Sequence, residues 1–346
     1  MQQRRVTRIA AVATVLSAAL LTAGCQSTSS AGSDEGETFT LTFSQVAAET
    51  SPEGIAAEKL KELLEERTEG RIEVEVYHNG SLYSQNDQMQ ALQSNAVQMI
   101  AASGANFTTV APSLQVLSLP FLFDSPADVP EVITRDSAVG ASIYENPDLA
   151  DKNVKVLSIW SAGMKHLGDN EPIRTPADMS GHSYRIQSSD ILVSQFEAWG
   201  AQPTVMAFSE VYTGLEQGLI DGQENTYANM QGQSMHTVQK YITESSHGLL
   251  DMIVAVNLDF YESLPEDLRT ILDSTLDDVA EFNYSEVAKT NDDARQVIVD
   301  AGTTEIIELT DAERQQWVDM VVPEVWHEFE SVIGADVLAE LLEARQ

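Results

Sequence analysis

The chain has 346 residues, which is enough for two domains of ordinary size, and its 54 acidic and 19 basic residues give a formal net charge of −35. So negative a surface repels phosphate groups, and the composition therefore excludes nucleic-acid binding as a function. Any anionic ligand needs local cations that overcome the field of the whole chain, which salt screens beyond about 10 Å.

The first residues have the pattern of a secretory signal. Three arginines among the first eight residues precede an apolar run over residues 9–21, and the sequence LTAGC follows and ends at Cys25. The run has about half the length that a membrane-spanning helix needs. Its end resembles a bacterial lipoprotein box, in which the cysteine becomes the new N-terminus and carries lipid. We therefore predict a lipoprotein signal peptide over residues 1–24 and lipidation at Cys25, with an ordinary signal peptide and an incidental thiol as the alternative.

Residues 25–37 are predicted to form a flexible tether. After the cysteine they consist mainly of serine, glycine and acidic residues, with almost no apolar side chain. Such a segment buries too little surface to offset its chain entropy. Lipid and tether together would hold the folded body just outside a membrane without crossing it.

The body begins with alternating strands and helices. Periodicity of 2 or 3.6 in the apolar residues predicts a strand over 38–43, a helix from Ser51 to Gly70, a strand over 71–77 and a helix over 86–95. This alternation with short connections favours an α/β domain with a mostly parallel sheet.

Ligands of such sheets bind beyond the carboxyl ends of the strands. The loops over residues 44–51, 84–87 and 102–106 are therefore candidate walls of a cleft, although each could equally be an ordinary solvated loop. Further on, a buried strand over 154–160 runs into the small residues 161–163, which indicates a crossing between two domains. Lys165 follows that crossing.

The second domain contains an arginine and an amide in separate elements. A short strand over 183–187 presents Arg185, and Gln223, Glu224 and Asn225 follow an Asp-Gly turn. A guanidinium facing an amide can seat a carboxylate by planar, two-pronged hydrogen bonding. From its position alone, Arg185 could equally form a structural salt bridge.

Three more elements are predicted between the arginine and the amide. Ser189 can cap a helix over 191–199, and the amides at that helix start could bind an anion. A third strand is predicted over 205–208, and Ser209 is predicted to cap the next helix.

Several short motifs follow one another along the chain in a specific order. They are GRI at 70–72, LPFLF at 119–123, PADMSG at 176–181, YRI at 184–186, FSEVY at 208–212, DGQEN at 221–225, QKY at 239–241, His247 and LPED at 264–267. Together they resemble the solute-binding proteins of tripartite ATP-independent periplasmic (TRAP) transporters, of the dicarboxylate-binding-protein-like family. The resemblance covers most of the chain after the tether.

The resemblance implies a two-lobed, hinged α/β fold like that of periplasmic binding proteins, with a long helix spanning both lobes. An amphipathic pattern over 265–299 fits that helix. Lobe I would comprise residues 38–162 and 251–290, and lobe II residues 163–250 and 291–346. The implied function is capture of an organic acid outside the cytoplasm and delivery to a TRAP-type membrane permease, without cofactor or metal.

The resemblance also assigns site residues. Arg185 matches the arginine that seats the ligand carboxylate, Asn225 the asparagine after the Asp-Gly turn, and Phe208 the aromatic residue before a Ser-Glu pair. Lys165 stands where relatives often have a second arginine, so it keeps the charge but loses the planar fork.

The remaining candidates depend on the same comparison. Gln85 and Ser103 match ligand contacts from the first lobe, while Ser189 and Tyr227 are further candidates in the second lobe. Glu224 is expected to hold other protein groups in place, since an anion beside an anionic ligand would weaken binding.

Two other functional classes stay open. The chain lacks the Gly-x-Ser-x-Gly, His-Glu-x-x-His and phosphate-loop motifs of common hydrolases, although a catalytic carboxylate pair is compatible with its many acids. A ligand-sensing ectodomain would need a transmembrane or signalling segment, and none is predicted after the body. The acid could be a dicarboxylate, a sugar acid, a keto acid or an aromatic acid.

Overall fold

In the computed structural model, which describes residues 37–344, eleven strands form one sheet of five strands and one of six. The strands are β1 (Phe39–Gln45), β2 (Ile72–Tyr77), β3 (Met99–Ala102), β4 (Val154–Met164), β5 (His166–Asp169), β6 (Ser183–Ile186), β7 (Gln202–Val205), β8 (Gly222–Asn225), β9 (Tyr241–Glu244), β10 (Leu249–Asn257) and β11 (Glu305–Glu308).

Helices cover both sheets. They are α1 (Pro52–Arg67), α2 (Gln88–Gln93), α3 (Val129–Val132), α4 (Ala138–Tyr144), α5 (Pro147–Ala150), α6 (Asp190–Ala198), α7 (Val211–Glu216), α8 (Tyr227–Gly232), α9 (Leu258–Ser263), α10 (Glu266–Ala301), α11 (Asp311–Glu328), α12 (Glu330–Ile333) and α13 (Ala335–Ala344).

The first sheet has the strand order β2-β1-β3-β10-β4. Strands β1, β2 and β3 are parallel, as the strand-helix alternation predicts, and β10 inserts antiparallel between β3 and β4. The alternation in β1 points Leu41 and Phe43 into the core, where both are fully buried.

The second sheet has the strand order β11-β9-β5-β8-β6-β7. Strands β6, β7 and β8 are parallel to one another, and β5 runs antiparallel to β8 and β9. We call the bodies around the first and second sheets the first and second lobe.

The chain connects the two lobes at three places. Strand β4 of the first sheet and β5 of the second are separated only by Lys165, and residues 245–248 lead from β9 back to β10. The third connection is α10, whose 36 residues span about 54 Å. Its first part packs in the core of the first lobe through Leu272 and Val279, and its last part packs on the second lobe through Ile298. The predicted two-lobed α/β architecture with a long bridging helix is confirmed.

Two local predictions differ from the structure. The strand predicted over 205–208 is instead β7, an edge strand that tolerates Pro203 because an edge position leaves one side of the strand without ladder hydrogen bonds. The chain then enters a 3₁₀ turn, Phe208–Glu210, so Ser209 lies inside the turn and does not cap a helix.

The segment after the predicted Asp-Gly turn forms regular secondary structure. Residues Gly222–Asn225 form β8, a buried strand in the middle of the second sheet. In residues 37–344, no helix combines the length and the apolar character that crossing a membrane requires. The predicted signal peptide and most of the tether lie outside the described residues.

Candidate functional site

A cavity with about 440 Å³ of space, including its mouth, lies between the two lobes. All three loops that were candidate walls of a cleft contribute to it, as do β6 and β8 of the second sheet. Six of the eight predicted ligand contacts line it, namely Gln85, Ser103, Lys165, Arg185, Phe208 and Asn225.

Arg185 is a buried cation at the cavity wall. It lies in β6 and is 2% exposed. Its Nε donates to the Met206 carbonyl oxygen at 3.0 Å and its Nη2 to Gln85 Oε1 at 3.3 Å. Burial lowers the pKa of Arg185 to about 10, against the raising effect of Glu224, so it is charged at neutral pH. In residues 37–344, no carboxylate forms an ion pair with this guanidinium, although five arginines nearer the surface have such partners, namely Arg67, Arg71, Arg174, Arg295 and Arg314.

Gln85 joins the two lobes across the cavity. Its Oε1 accepts hydrogen bonds from Arg185 Nη2 and, at 2.8 Å, from the Phe208 amide. Its Nε2 donates to Asn106 Oδ1 at 2.9 Å within the first lobe. The Phe208 ring lies beside the guanidinium, with 6.0 Å between the ring centroid and Arg185 Cζ. A ligand group that reaches Arg185 therefore meets an amide oxygen and an aromatic ring beside the cation.

Lys165 is held in a buried network of charges. It is 4% exposed, and its Nζ donates to Glu224 Oε1 at 2.9 Å. Glu224 Oε2 accepts from His247 Nε2 at 2.7 Å, and Ser245 Oγ donates to His247 Nδ1 at 2.7 Å. Since an ionised carboxylate can only accept, His247 carries its proton on Nε2. The expectation that Glu224 holds other protein groups in place is confirmed.

The ion pair of Lys165 and Glu224 dominates the electrostatics of this network. Burial by itself raises the pKa of Glu224, but the charge of Lys165 and the hydrogen bond from His247 outweigh burial and bring that pKa to about 2. Burial lowers the pKa of His247, which is therefore neutral. The positive charge of Lys165 is balanced by Glu224, and Arg185 is the cation of the cavity wall without an ion-pair partner among the described residues.

Asn225 and Ser103 present smaller polar groups. Asn225 is 4% exposed, and its Oδ1 accepts from the Thr226 amide at 3.0 Å, which fixes the orientation of the side-chain amide. Ser103 Oγ donates to Asp251 Oδ1 at 3.1 Å, and the Gly104 amide donates to the other oxygen at 2.6 Å. Burial raises the pKa of Asp251 to about 6 against these hydrogen bonds.

The structure places Ser189 and Tyr227 away from this cavity. Ser189 caps α6 as predicted, but Gln115 Oε1 accepts hydrogen bonds from its hydroxyl and from the first amides of the helix. A protein amide therefore occupies the helix start that was expected to bind an anion. Tyr227 donates to Glu244 Oε1 at 2.8 Å and packs against His166 with the ring planes tilted by 45°, on the wall of a different surface depression.

Outside the predicted wall loops, three polar residues of the cavity were not singled out from the sequence, namely Glu53, Gln187 and Asn229. Glu53 is the second residue of α1, and Asn229 lies in α8. The position of Glu53, at a predicted helix start directly after a predicted wall loop, was a usable signal. Asn229 carried no such signal, because its place depends on how α8 packs against the first lobe.

The described part of the chain contains no group of His, Cys, Asp and Glu side chains arranged to hold a metal ion. The cavity instead offers one uncompensated cation, one balanced ion pair, oriented amides and an aromatic ring. This combination suits the carboxylate of a small organic molecule.

Known proteins share this architecture. The sequence profile of bacterial extracellular solute-binding proteins of family 7, DctP, matches residues 43–331. The C4-dicarboxylate-binding periplasmic protein DctP of Vibrio cholerae is 38% identical over 317 residues, which are 91% of this chain and 93% of that protein.

Solved structures agree with the profile. A TRAP periplasmic solute-binding protein from Shewanella oneidensis with bound succinate is 37% identical, with a TM-score of 0.84 over 89% of this chain and 100% of that chain. Another from Pseudomonas aeruginosa with bound L-malate is 32% identical, with a TM-score of 0.80 over 84% of this chain and 99% of that chain. The chain therefore belongs to the DctP family and is a TRAP-type solute-binding protein.

Proposed function

We propose that this protein is the extracytoplasmic receptor of a TRAP-type transporter, which captures a small dicarboxylate between its lobes and delivers it to a membrane permease. The observation that carries the proposal is the buried guanidinium of Arg185, which lines the cavity without a carboxylate partner in residues 37–344. A buried cation of this kind is stabilised when an anion enters. The relatives named for C4-dicarboxylates and the neighbours with succinate and malate support the ligand class.

Arg185 and Asn225 form the carboxylate seat in this proposal. The guanidinium offers a planar fork, and the side-chain amide of Asn225 lies on the same face of the second sheet, since Arg185 pairs with Gln223 in the register of β6 and β8. Phe208 and Ser103 form further walls. Lys165 contributes little net charge, because Glu224 neutralises it.

Closure of the two lobes would exclude water from the seat. Hydrogen bonds inside a closed, water-poor cavity are stronger than those in an open cleft. We propose the same lobe bounds as the sequence predicts, residues 38–162 with 251–290 and 163–250 with 291–346, and a hinge at their connections. Contacts of Gln85 with Arg185 and Phe208 support such a closed arrangement.

The receptor would act at the outer face of the cell membrane or on its periplasmic side. In this proposal residues 1–24 are removed, lipid on Cys25 anchors the protein, and residues 25–37 tether the body to it. The tether lets the body reach the permease without spanning the membrane itself.

Calorimetric titration with dicarboxylates, sugar acids, keto acids and aromatic acids tests the proposal. A tight binder is expected among the dicarboxylates, and Arg185→Ala is expected to lose roughly 3–5 kcal/mol of binding free energy, because a buried carboxylate would be left without its cation. Uptake of that acid through the permease should fall in the same variant.

Arg174→Ala is the matched control. Arg174 belongs to the same lobe but pairs with Glu313 at the surface, so its loss should leave the affinity unchanged. Equal affinities for wild type and Arg185→Ala would contradict the site. Chemical conversion of the acid by the purified protein would favour an enzyme.

A further inference from the structure

A carboxyl group that the carboxylate seat does not use faces the cavity from the first lobe. Glu53 is 1% exposed and lines the same cavity as Arg185. Its Oε2 is buried and has no hydrogen-bond partner among the described residues. A buried polar atom without a partner costs about 1–3 kcal/mol, so this atom is placed to receive its partner from a ligand.

The immediate surroundings of Glu53 carry no charge. The polar side chains that act on its carboxyl group are those of Ser51, at the start of α1, and Asn229, from α8. From α10, Asn283 Nδ2 donates to the Pro52 carbonyl oxygen at 3.3 Å. Burial raises the pKa of Glu53, and the polar groups of Ser51, Asn229 and its own backbone oppose that effect only in part. The site therefore favours a neutral carboxyl group, which has a proton to donate.

The ionisable groups that share the cavity are Lys165, Arg185 and Glu224, while Asp251 lies behind one wall. Lys165 and Glu224 cancel each other, so Arg185 leaves the cavity with one positive charge. One ligand carboxylate matches that charge. A second carboxylate has no cation left to meet and instead needs a hydrogen-bond donor. A neutral carboxyl donating to a carboxylate is a strong, charge-assisted hydrogen bond.

We propose that Glu53 recognises the second carboxylate of a dicarboxylate as a neutral hydrogen-bond donor, while Arg185 holds the first carboxylate. The inference rests on the proposed function and extends it to the end of the ligand that faces the first lobe. Since α1 belongs to the first lobe and β6 to the second, a dicarboxylate bound in this way connects the two lobes and favours their closure.

The test compares succinate with butyrate, which has the same four carbons and a methyl group in place of the second carboxylate. Wild type should bind succinate far more tightly than butyrate. Glu53→Ala should lose roughly ten- to a hundredfold in succinate affinity and leave butyrate affinity unchanged. Glu53→Gln keeps a donor and should stay within a fewfold of wild type.

The pH dependence of succinate affinity distinguishes a neutral Glu53, which donates to the ligand, from an ionised Glu53. Once succinate is fully ionised, its affinity for wild type should fall as pH rises further, because an ionised Glu53 repels the carboxylate. Glu53→Gln should abolish this fall. Asp251→Asn should retain it, which separates Glu53 from the other acid of raised pKa near the cavity. Thermal melting of each variant checks that it is folded.

Two results would overturn the inference. One is unchanged succinate affinity in Glu53→Ala, and the other is a wild-type affinity that rises with pH, which would mean that an ionised Glu53 accepts from the ligand. Either result leaves the proposed function intact as long as wild type binds acids through Arg185. If wild type bound no acid at all, the proposed function would fail, and this inference with it.

Discussion

At the scale of single residues, burial makes the charges of Lys165 and Glu224 depend on each other. Lys165 and Glu224 are both nearly inaccessible to solvent, at 5% and 1% of their side-chain surface. Removing two such ions from water costs several kcal/mol each, and only their close contact offsets that cost. A pair of this kind holds the crossing between β4 and β5 in place, because Lys165 is the residue between the two strands.

Glu224→Gln tests this dependence. We expect it to lower the unfolding free energy of the ligand-free protein by roughly 3–5 kcal/mol, since the Lys165 ammonium would be buried without a counter-charge. Because the pKa of Glu224 is held near 2, below its unfolded value, this stabilisation is present at neutral pH and is lost as pH falls toward 2. Urea unfolding measures the change.

The control for that measurement is Asp293→Asn, which breaks the exposed pair of Lys289 and Asp293. An exposed i,i+4 pair contributes about 0.3–0.5 kcal/mol, so little change is expected. Equal losses in Glu224→Gln and Asp293→Asn would show that the buried pair does not stabilise the fold.

At the scale of elements, the crossing between the lobes depends on contact between α10 and the end of β4. Asn291 of α10 donates from Nδ2 to the Ala162 carbonyl oxygen at 2.9 Å, and its Oδ1 accepts from the Ala228 amide at 3.1 Å. One side chain thus joins β4 of the first sheet to the start of α8. Gly163 follows with a φ of +119°, and a Cβ there would lie 2.5 Å from Asn291 Nδ2.

Gly163→Ala is therefore expected to destabilise the protein by more than strain alone. A residue with a Cβ at such a φ costs about 1–3 kcal/mol, and the displaced Asn291 would lose its hydrogen bonds in addition. Gly302→Ala is the control, because Gly302 has a φ of +65° and open space around it. Urea unfolding should show a larger loss for Gly163→Ala, and equal losses would argue against the role of Asn291.

At the scale of the whole molecule, a net charge of −35 opposes the arrival of any dianion. The buried cation Arg185 opposes this repulsion at short range, because salt screens its charge little inside the protein. The same surface charge would repel anionic headgroups, so the proposed attachment to a membrane would depend on the lipid at Cys25.

The lipid anchor is tested at Cys25, which lies outside the described residues. When the full chain is produced in bacteria with a labelled fatty acid, we expect label in the wild type and none in Cys25→Ser. Mass spectrometry of the membrane-extracted protein should find a modified Cys25 as the first residue. Ser27→Ala should be labelled like the wild type, and equal labelling of the Cys25→Ser variant would contradict the anchor.

Features that depend on interactions between residues close in the sequence could be predicted from the sequence. The strand and helix periodicity of the first lobe and the serine cap at Ser189 depend on neighbours a few residues away, and the structure contains both. The strand over 205–208 was wrong because the register of an edge strand depends on its partner β6.

By itself, the sequence determined the α/β class through its periodicity. Its ordered motifs carried the family resemblance, which implied the two lobes and most of the residues that could hold a carboxylate. Only the tertiary structure decided which of those residues share a cavity. Ser189 and Tyr227 have the right chemistry, but Gln115 and Glu244 occupy them. The balance of charge is a property of three-dimensional contact, because 59 residues of chain separate Lys165 from Glu224. That contact leaves Arg185 as the cation of the cavity wall without an ion-pair partner in residues 37–344, and Glu53 lines the same cavity.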